Sequence, residues 1–132
     1  MSGQDEQGEL SDSSSRAQPL RQRTKAYALR VIRLYSALPR TTEAQVLGQQ
    51  LLRSGTSVGA NYREGNRARS TAEMAAKFGI CLQELEETAY WMELLIESGI
   101  VSETSLGSLL GETSQLIAIF TSSIKRLSEK KR

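Results

Sequence analysis

The strongest constraint on the fold is a run of apolar and small residues in the second half of the chain. Met74, Phe78, Cys81, Leu85, Thr88, Met92 and Leu95 recur at alternating steps of four and three. That period places all seven on one face of an α-helix and is incompatible with a strand, whose side chains alternate every second residue. The pattern predicts a helix over residues 71 to 98, about 40 Å long at 1.5 Å per residue, closed by Gly99.

The same period recurs on both sides of this segment. Before it, Ala28, Val31, Ile32, Tyr35 and Leu38 form a stripe, with Arg23, Arg30 and Arg33 on the opposite face. This first helix is expected over residues 20 to 38, stopped by Pro39. Thr42 and Gln45 read as a capping box opening a second helix over residues 43 to 64, with Leu47, Leu51, Ser54, Val58 and Tyr62 inward and Gly65 as its C-terminal cap. Ser70 and Glu73 read as a second capping box. Ser102 opens a fourth helix over residues 103 to 128, carried by Leu106, Leu109, Leu110, Thr113, Leu116, Ile117, Phe120, Ile124 and Leu127.

Four amphipathic helices with short connections give an all-α, antiparallel up-down four-helix bundle over residues 19 to 128. Residues 1 to 18 are polar and acidic and are expected to be a disordered tail, and residues 129 to 132 a basic one. No apolar run approaches the roughly 20 residues of a membrane span, and the N-terminus lacks the basic-then-apolar pattern of a signal peptide, so a cytoplasmic protein is expected.

The composition removes most catalytic classes. The chain has no histidine and one cysteine, which excludes Ser-His and Cys-His nucleophiles, His-containing zinc sites and bundle di-iron sites built on Glu-x-x-His. Cys81 lies on the apolar stripe and is expected in the core. Neither a phosphate-binding P-loop nor a dinucleotide fingerprint occurs. No catalytic residue, metal ligand or cofactor is assigned, and an enzyme is not expected.

Charge is where the sequence is unusual. Residues 1 to 15 carry a net −4, residues 16 to 69 +9, residues 73 to 112 −7 and residues 113 to 132 +4. The densest basic stretch is RSGTSVGANYREGNRARS, residues 53 to 70, in which Arg53 and Arg63 share a helix face and Arg67 and Arg69 follow it. Guanidinium forks match phosphate oxygens, Gly55 and Gly59 allow close backbone packing, and Tyr62 offers a ring for a base. Arg53, Arg63, Arg67 and Arg69, supported by Arg23, Arg30 and Arg33, are therefore the candidate contacts to RNA or DNA phosphates. The competing explanation is that these arginines pair with Glu64 and with the glutamates of the third helix, leaving a protein-interaction scaffold that binds no free nucleic acid.

The stretch QQLLRSGTSVGANYREGNRARS, followed by KFGICLQELEETAYWMELL, resembles the bacterial four helix bundle protein family, also called 23S rRNA intervening-sequence or S23 proteins. The resemblance spans about residues 24 to 127, and departs from the family pattern at Gly59, where many members carry proline, and at Arg63, where alanine is common. It implies an antiparallel bundle assembled as a ring-like homopentamer, no enzymatic activity, and relatives that serve as accessory proteins of diversity-generating retroelements. Those relatives bind nucleic acid and a reverse transcriptase, which makes a reverse transcriptase a candidate partner.

Overall fold

The computed structural model describes residues 19–130. They form four α-helices: α1, Leu20–Ser36; α2, Thr42–Asn66; α3, Thr71–Glu97; and α4, Glu103–Lys130. The expected polar tail at residues 1–18 lies outside the described residues, as do residues 131–132. Residues 129 and 130 continue α4, so the helix runs further than its last apolar position at Leu127 suggested.

Consecutive helices pack against each other in the order α1, α2, α3, α4, most intimately along α2 and α3, while the α1 and α4 backbones approach closely at few points. With loops of four or five residues this is the antiparallel up-down bundle the sequence predicts. Val31, Leu51, Val58, Cys81, Leu85, Met92, Leu95, Leu116 and Phe120 are fully excluded from solvent at its centre.

Helix termini follow local chemistry, with three departures from expectation. Helix α1 ends at Ser36, since Leu38 precedes Pro39 and the proline ring disfavours helical backbone there. Leu38 is nonetheless buried, beside Gly48. The cap of α2 is Thr41, whose hydroxyl accepts from the Ala44 amide at 3.3 Å. Gln45 does not close a box with Thr42; its amide donates to the Pro39 carbonyl at 2.9 Å and its carbonyl accepts from the Tyr35 hydroxyl, pinning the end of α1 to the start of α2. Gly65 is not a left-handed cap but stays helical and buried, because a Cβ there would lie 2.9 Å from the Phe78 ring.

At the other caps the expected residues serve, with the reciprocal bond of the Ser70 box displaced by one residue. Ser70 accepts from the Glu73 amide at 3.0 Å while the Glu73 carboxylate accepts from Arg69 N, and Ser102 accepts from the Ser105 amide at 3.2 Å. Gly99 has φ +81°, and the bonds Gly99 N to Ile96 O and Ile100 N to Leu95 O complete a Schellman motif.

The α1–α2 seam depends on glycine. A Cβ at Gly55 would sit 2.8 Å from both Val31 methyls, and one at Gly59 would sit 3.2 Å from Thr24 Oγ1. Packing rather than ligand binding thus accounts for both residues, whose helical cost of about 1 kcal/mol each is offset by close interhelical contact. The inward face of α1 is also rotated from the apolar stripe. Thr24, Tyr27, Val31 and Leu38 are buried, whereas Ile32 is 40% exposed and Ala28 only partly buried. An apolar-only count missed this face because two of its members carry hydroxyls.

Thr24 donates to Leu20 O within its own helix, while Tyr27 belongs to a buried polar layer with one member per helix: Tyr27, Ser54, Thr88 and Thr113. Thr113 donates to Leu109 O and Thr88 to Glu84 O. Each hydroxyl has a single proton, so Tyr27 donates to Thr113 across the α1–α4 seam and Ser54 donates to Thr88 across the α2–α3 seam, both at 2.7 Å. Satisfied this way, the layer fixes the register of the four helices at little energetic cost.

Candidate nucleic-acid interface

The seven arginines singled out in the sequence do not form one surface. Arg23 departs furthest from expectation. It lies on the α4 side of α1, is 5% exposed, and its guanidinium donates through Nε and Nη2 to the two oxygens of Glu112 at 2.8 and 3.0 Å and to Gln115 at 2.6 Å. The Glu112 carboxylate holds it more firmly protonated than a free arginine. Arg23 is a bridge across the wide α1–α4 gap, not a solvent-facing contact. Arg30, one heptad on, is half-buried on the same side and donates to Ser108 on α4 at 2.8 Å.

Arg53 is exposed on α2 but turned toward α3, where it meets Glu87 at 3.1 Å and Glu84 at 3.9 Å. For this residue the charge-pairing alternative describes the geometry. Burial pushes the Glu84 carboxyl above its ordinary range, with Arg53 pulling it down. Arg33 is exposed toward the α1–α2 loop end of the bundle.

Arg63, Arg67 and Arg69 cluster at the opposite end. Arg63 is partly buried on the last turns of α2, Arg67 is the C-terminal cap residue of that helix, and Arg69 stands in the loop to α3. None of the three has an ion-pair partner closer than 4 Å among the described residues. Glu64, the nearest acid in sequence, is taken by Lys77 at 2.7 Å, a pairing that lowers the Glu64 pKa and raises that of Lys77.

The antiparallel topology adds basic residues that the linear reading did not join to this cluster. Thr24 packs against Gly59, which sets Arg21 and Lys25 of α1 beside the Arg63 end of α2. Phe120 packs edge-on against Tyr62 and Phe78, which brings the last turns of α4, with Lys125 and Arg126, to the same end. The signal was present in the short loops: in an up-down bundle, the start of α1, the α2–α3 connection and the end of α4 must meet.

Tyr62 is not available to a base. Its ring stacks on Phe78 at 5.6 Å, as part of the core's edge. The chemistry offered at this end is cationic, suited to phosphate oxygens, with no free aromatic platform in the cluster.

Cys81 is buried, donates to Val58 O at 3.4 Å, and its thiol is pushed by burial up to about 12, so no thiolate nucleophile forms near neutrality. Among the described residues no group of three or more potential ligands is arranged to hold a metal ion, and no helix is long and apolar enough to cross a membrane.

Comparison with known proteins agrees with this architecture. The chain is similar to a protein of unknown function from the S23 ribosomal protein family of Bacteroides thetaiotaomicron VPI-5482, whose crystal structure was solved at 1.70 Å. The two share 34% identity with a TM-score of 0.77, over 81% of this chain and 99% of the other. No curated protein matches. The 23S rRNA-intervening sequence protein family matches residues 18–122, most of the bundle, and the chain belongs to that family.

Proposed function

We propose that the protein is a non-enzymatic, homo-oligomeric accessory protein that binds nucleic acid, RNA first, through the basic end of the bundle. The observation that carries this reading is the convergence of Arg63, Arg67 and Arg69 with the acid-free α1, none of the three guanidinium groups lying within 4 Å of a carboxylate among the described residues. Arginines clustered on one face without direct ion pairs are the electrostatic footprint of a polyanion-binding surface. Membership of a family named for 23S rRNA intervening sequences makes RNA the natural first ligand. The relevant arginines are Arg63, Arg67 and Arg69; Arg53 and Arg23 are held in ion pairs and contribute little.

The test is retention of single-stranded RNA in a gel-shift assay by the wild type and by an Arg63→Glu/Arg67→Glu variant. The variant is expected to lose retention with an unchanged melting temperature, since neither side chain supports the core. Unchanged retention would overturn this surface.

A second reading is favoured by different residues. Arg53 with Glu84 and Glu87, and Lys77 with Glu64, show that basic and acidic helices can pair, and α3 carries an open acidic face at Gln83, Glu86, Glu87 and Tyr90. Tyr90 is 52% exposed, and the Trp91 indole N–H next to it is buried without a hydrogen-bond partner among the described residues. This face suits a protein contact, either between copies in the expected pentamer or with a partner such as a reverse transcriptase. Mass measurement in solution separates a monomer from the pentamer, and co-purification with a reverse transcriptase tests the partner.

A further inference from the structure

The proposed RNA surface contains one feature that the linear sequence did not expose: a groove of about 420 Å³ between the outer faces of α1 and α2. Its lining includes Thr24 and Lys25 from α1 and Thr56, Gly59, Ala60 and Arg63 from α2. The floor is shallow because Gly59 lets the helices approach, a Cβ there falling within 3.2 Å of Thr24. The walls carry one cation each, Lys25 on one helix and Arg63 on the other.

Neither cation has an ion-pair partner among the described residues. Helix α1 has no acidic residue, and Glu64, which follows Arg63, is committed to Lys77 on the α3 side. The hydroxyls of the groove are spent within their own helices, Thr24 donating to Leu20 O at 2.7 Å and Thr56 to Leu52 O at 2.8 Å. No aromatic ring lines the groove. What remains for a ligand is therefore two cationic side chains, one from each helix, lining the same groove without base-reading groups, which suits an anionic diester and not a nucleobase.

We infer that this groove seats a backbone phosphodiester of single-stranded RNA, with Lys25 as the partner cation of Arg63. The inference rests on the RNA-binding reading above and adds to it a residue, Lys25, and a position on the bundle. Because the groove reads phosphate alone, occupancy is independent of base identity. Lys25 is exposed and has no ion pair among the described residues, so its replacement is expected to leave the fold intact.

The experiment uses the full chain, labelled with nitrogen-15, titrated with single-stranded oligoadenylate and oligouridylate of equal length. Backbone amides of Lys25, Gly59 and Ala60 are expected to shift with both oligonucleotides. Lys25→Gln and Arg63→Gln are each expected to reduce the slope of log affinity against log salt by about 0.7, the value for one phosphate of a single strand. Ala60→Glu, which puts a carboxylate into the groove, is expected to weaken binding of both oligonucleotides. Binding of RNA with unmoved groove amides and an unchanged slope in Lys25→Gln overturns the groove while leaving the RNA-binding reading standing. Failure of the wild type to bind either oligonucleotide at low salt overturns both.

Discussion

Arg23 shows how much a single residue's environment changes its role. Replacing it with alanine strands the Glu112 carboxylate at a seam where its side chain is only 18% exposed, and is expected to cost about 2 to 3 kcal/mol. In a domain of this size that lowers the melting temperature by about 10 °C or more, while RNA retention below the transition stays near wild type. Lost retention with an unchanged melting temperature would return Arg23 to the surface set. Nothing in the local sequence separated Arg23 from Arg63, since both sit among small polar residues on amphipathic helices. Only the partner helix, 89 positions away at Glu112, decides between bridge and contact.

Tyr27 and Cys81 give the residue scale its pH dependence. Burial holds both near 12, against ordinary values of 10.0 and 9.0. For Tyr27 the Thr113 and Thr88 hydroxyls pull the other way without cancelling the effect. As pH rises, the unfolded chain loses these protons first, so their stabilisation is complete below about pH 9 and disappears progressively toward 12. Melting temperatures followed from pH 8 to 12 are expected to fall over that window, and Tyr27→Phe to fall less steeply. Equal steepness in the variant would assign the loss to another group.

At the scale of the element, Gly55 on α2 and Gly111 on α4 are expected to respond to alanine in opposite directions. Gly55→Ala forces a methyl to within 2.8 Å of Val31, and overpacking of about 1 to 3 kcal/mol outweighs the helix-propensity gain of about 1 kcal/mol. Gly111 on α4 has nothing within 4 Å of its added Cβ, so Gly111→Ala gains the propensity alone and raises stability by about 0.5 to 1 kcal/mol. Denaturant midpoints of the two variants are expected to move in opposite directions. Helices α2, α3 and α4 were legible because their buried positions are mostly apolar and keep the helical period. Helix α1 was legible only in part: Val31 and Leu38 are buried as expected, but the face is rotated toward Thr24, whose hydroxyl is satisfied by Leu20 O, and Tyr27, whose hydroxyl is satisfied across the bundle by Thr113. Gly65 was misread for a related reason: a glycine near a helix end signals a left-handed cap locally, but here it makes room for Phe78 two turns into the next helix.

At the scale of the molecule, the charge blocks of the sequence become a polarity of the bundle. The up-down path returns the start of α1, the α2–α3 loop and the end of α4 to one end, where Lys25, Arg63, Arg67, Arg69 and Arg126 gather, while Arg53 is drawn to the acidic face of α3. The sequence named three members of this end, Arg63, Arg67 and Arg69. It missed Lys25 and Arg126, since their proximity to the others is a property of topology and not of spacing along the chain. Binding through this end should be driven by release of counterions from the RNA backbone, because the cluster offers cations and no free ring.

That claim is tested most directly by the salt dependence of affinity for single-stranded RNA of mixed sequence, measured by fluorescence anisotropy on the wild-type protein. Saturable binding is expected at low salt, with a linear fall of log affinity with log salt whose slope corresponds to several phosphates at about 0.7 each. Absence of binding at low salt, or an affinity that does not change as salt is raised, would contradict it.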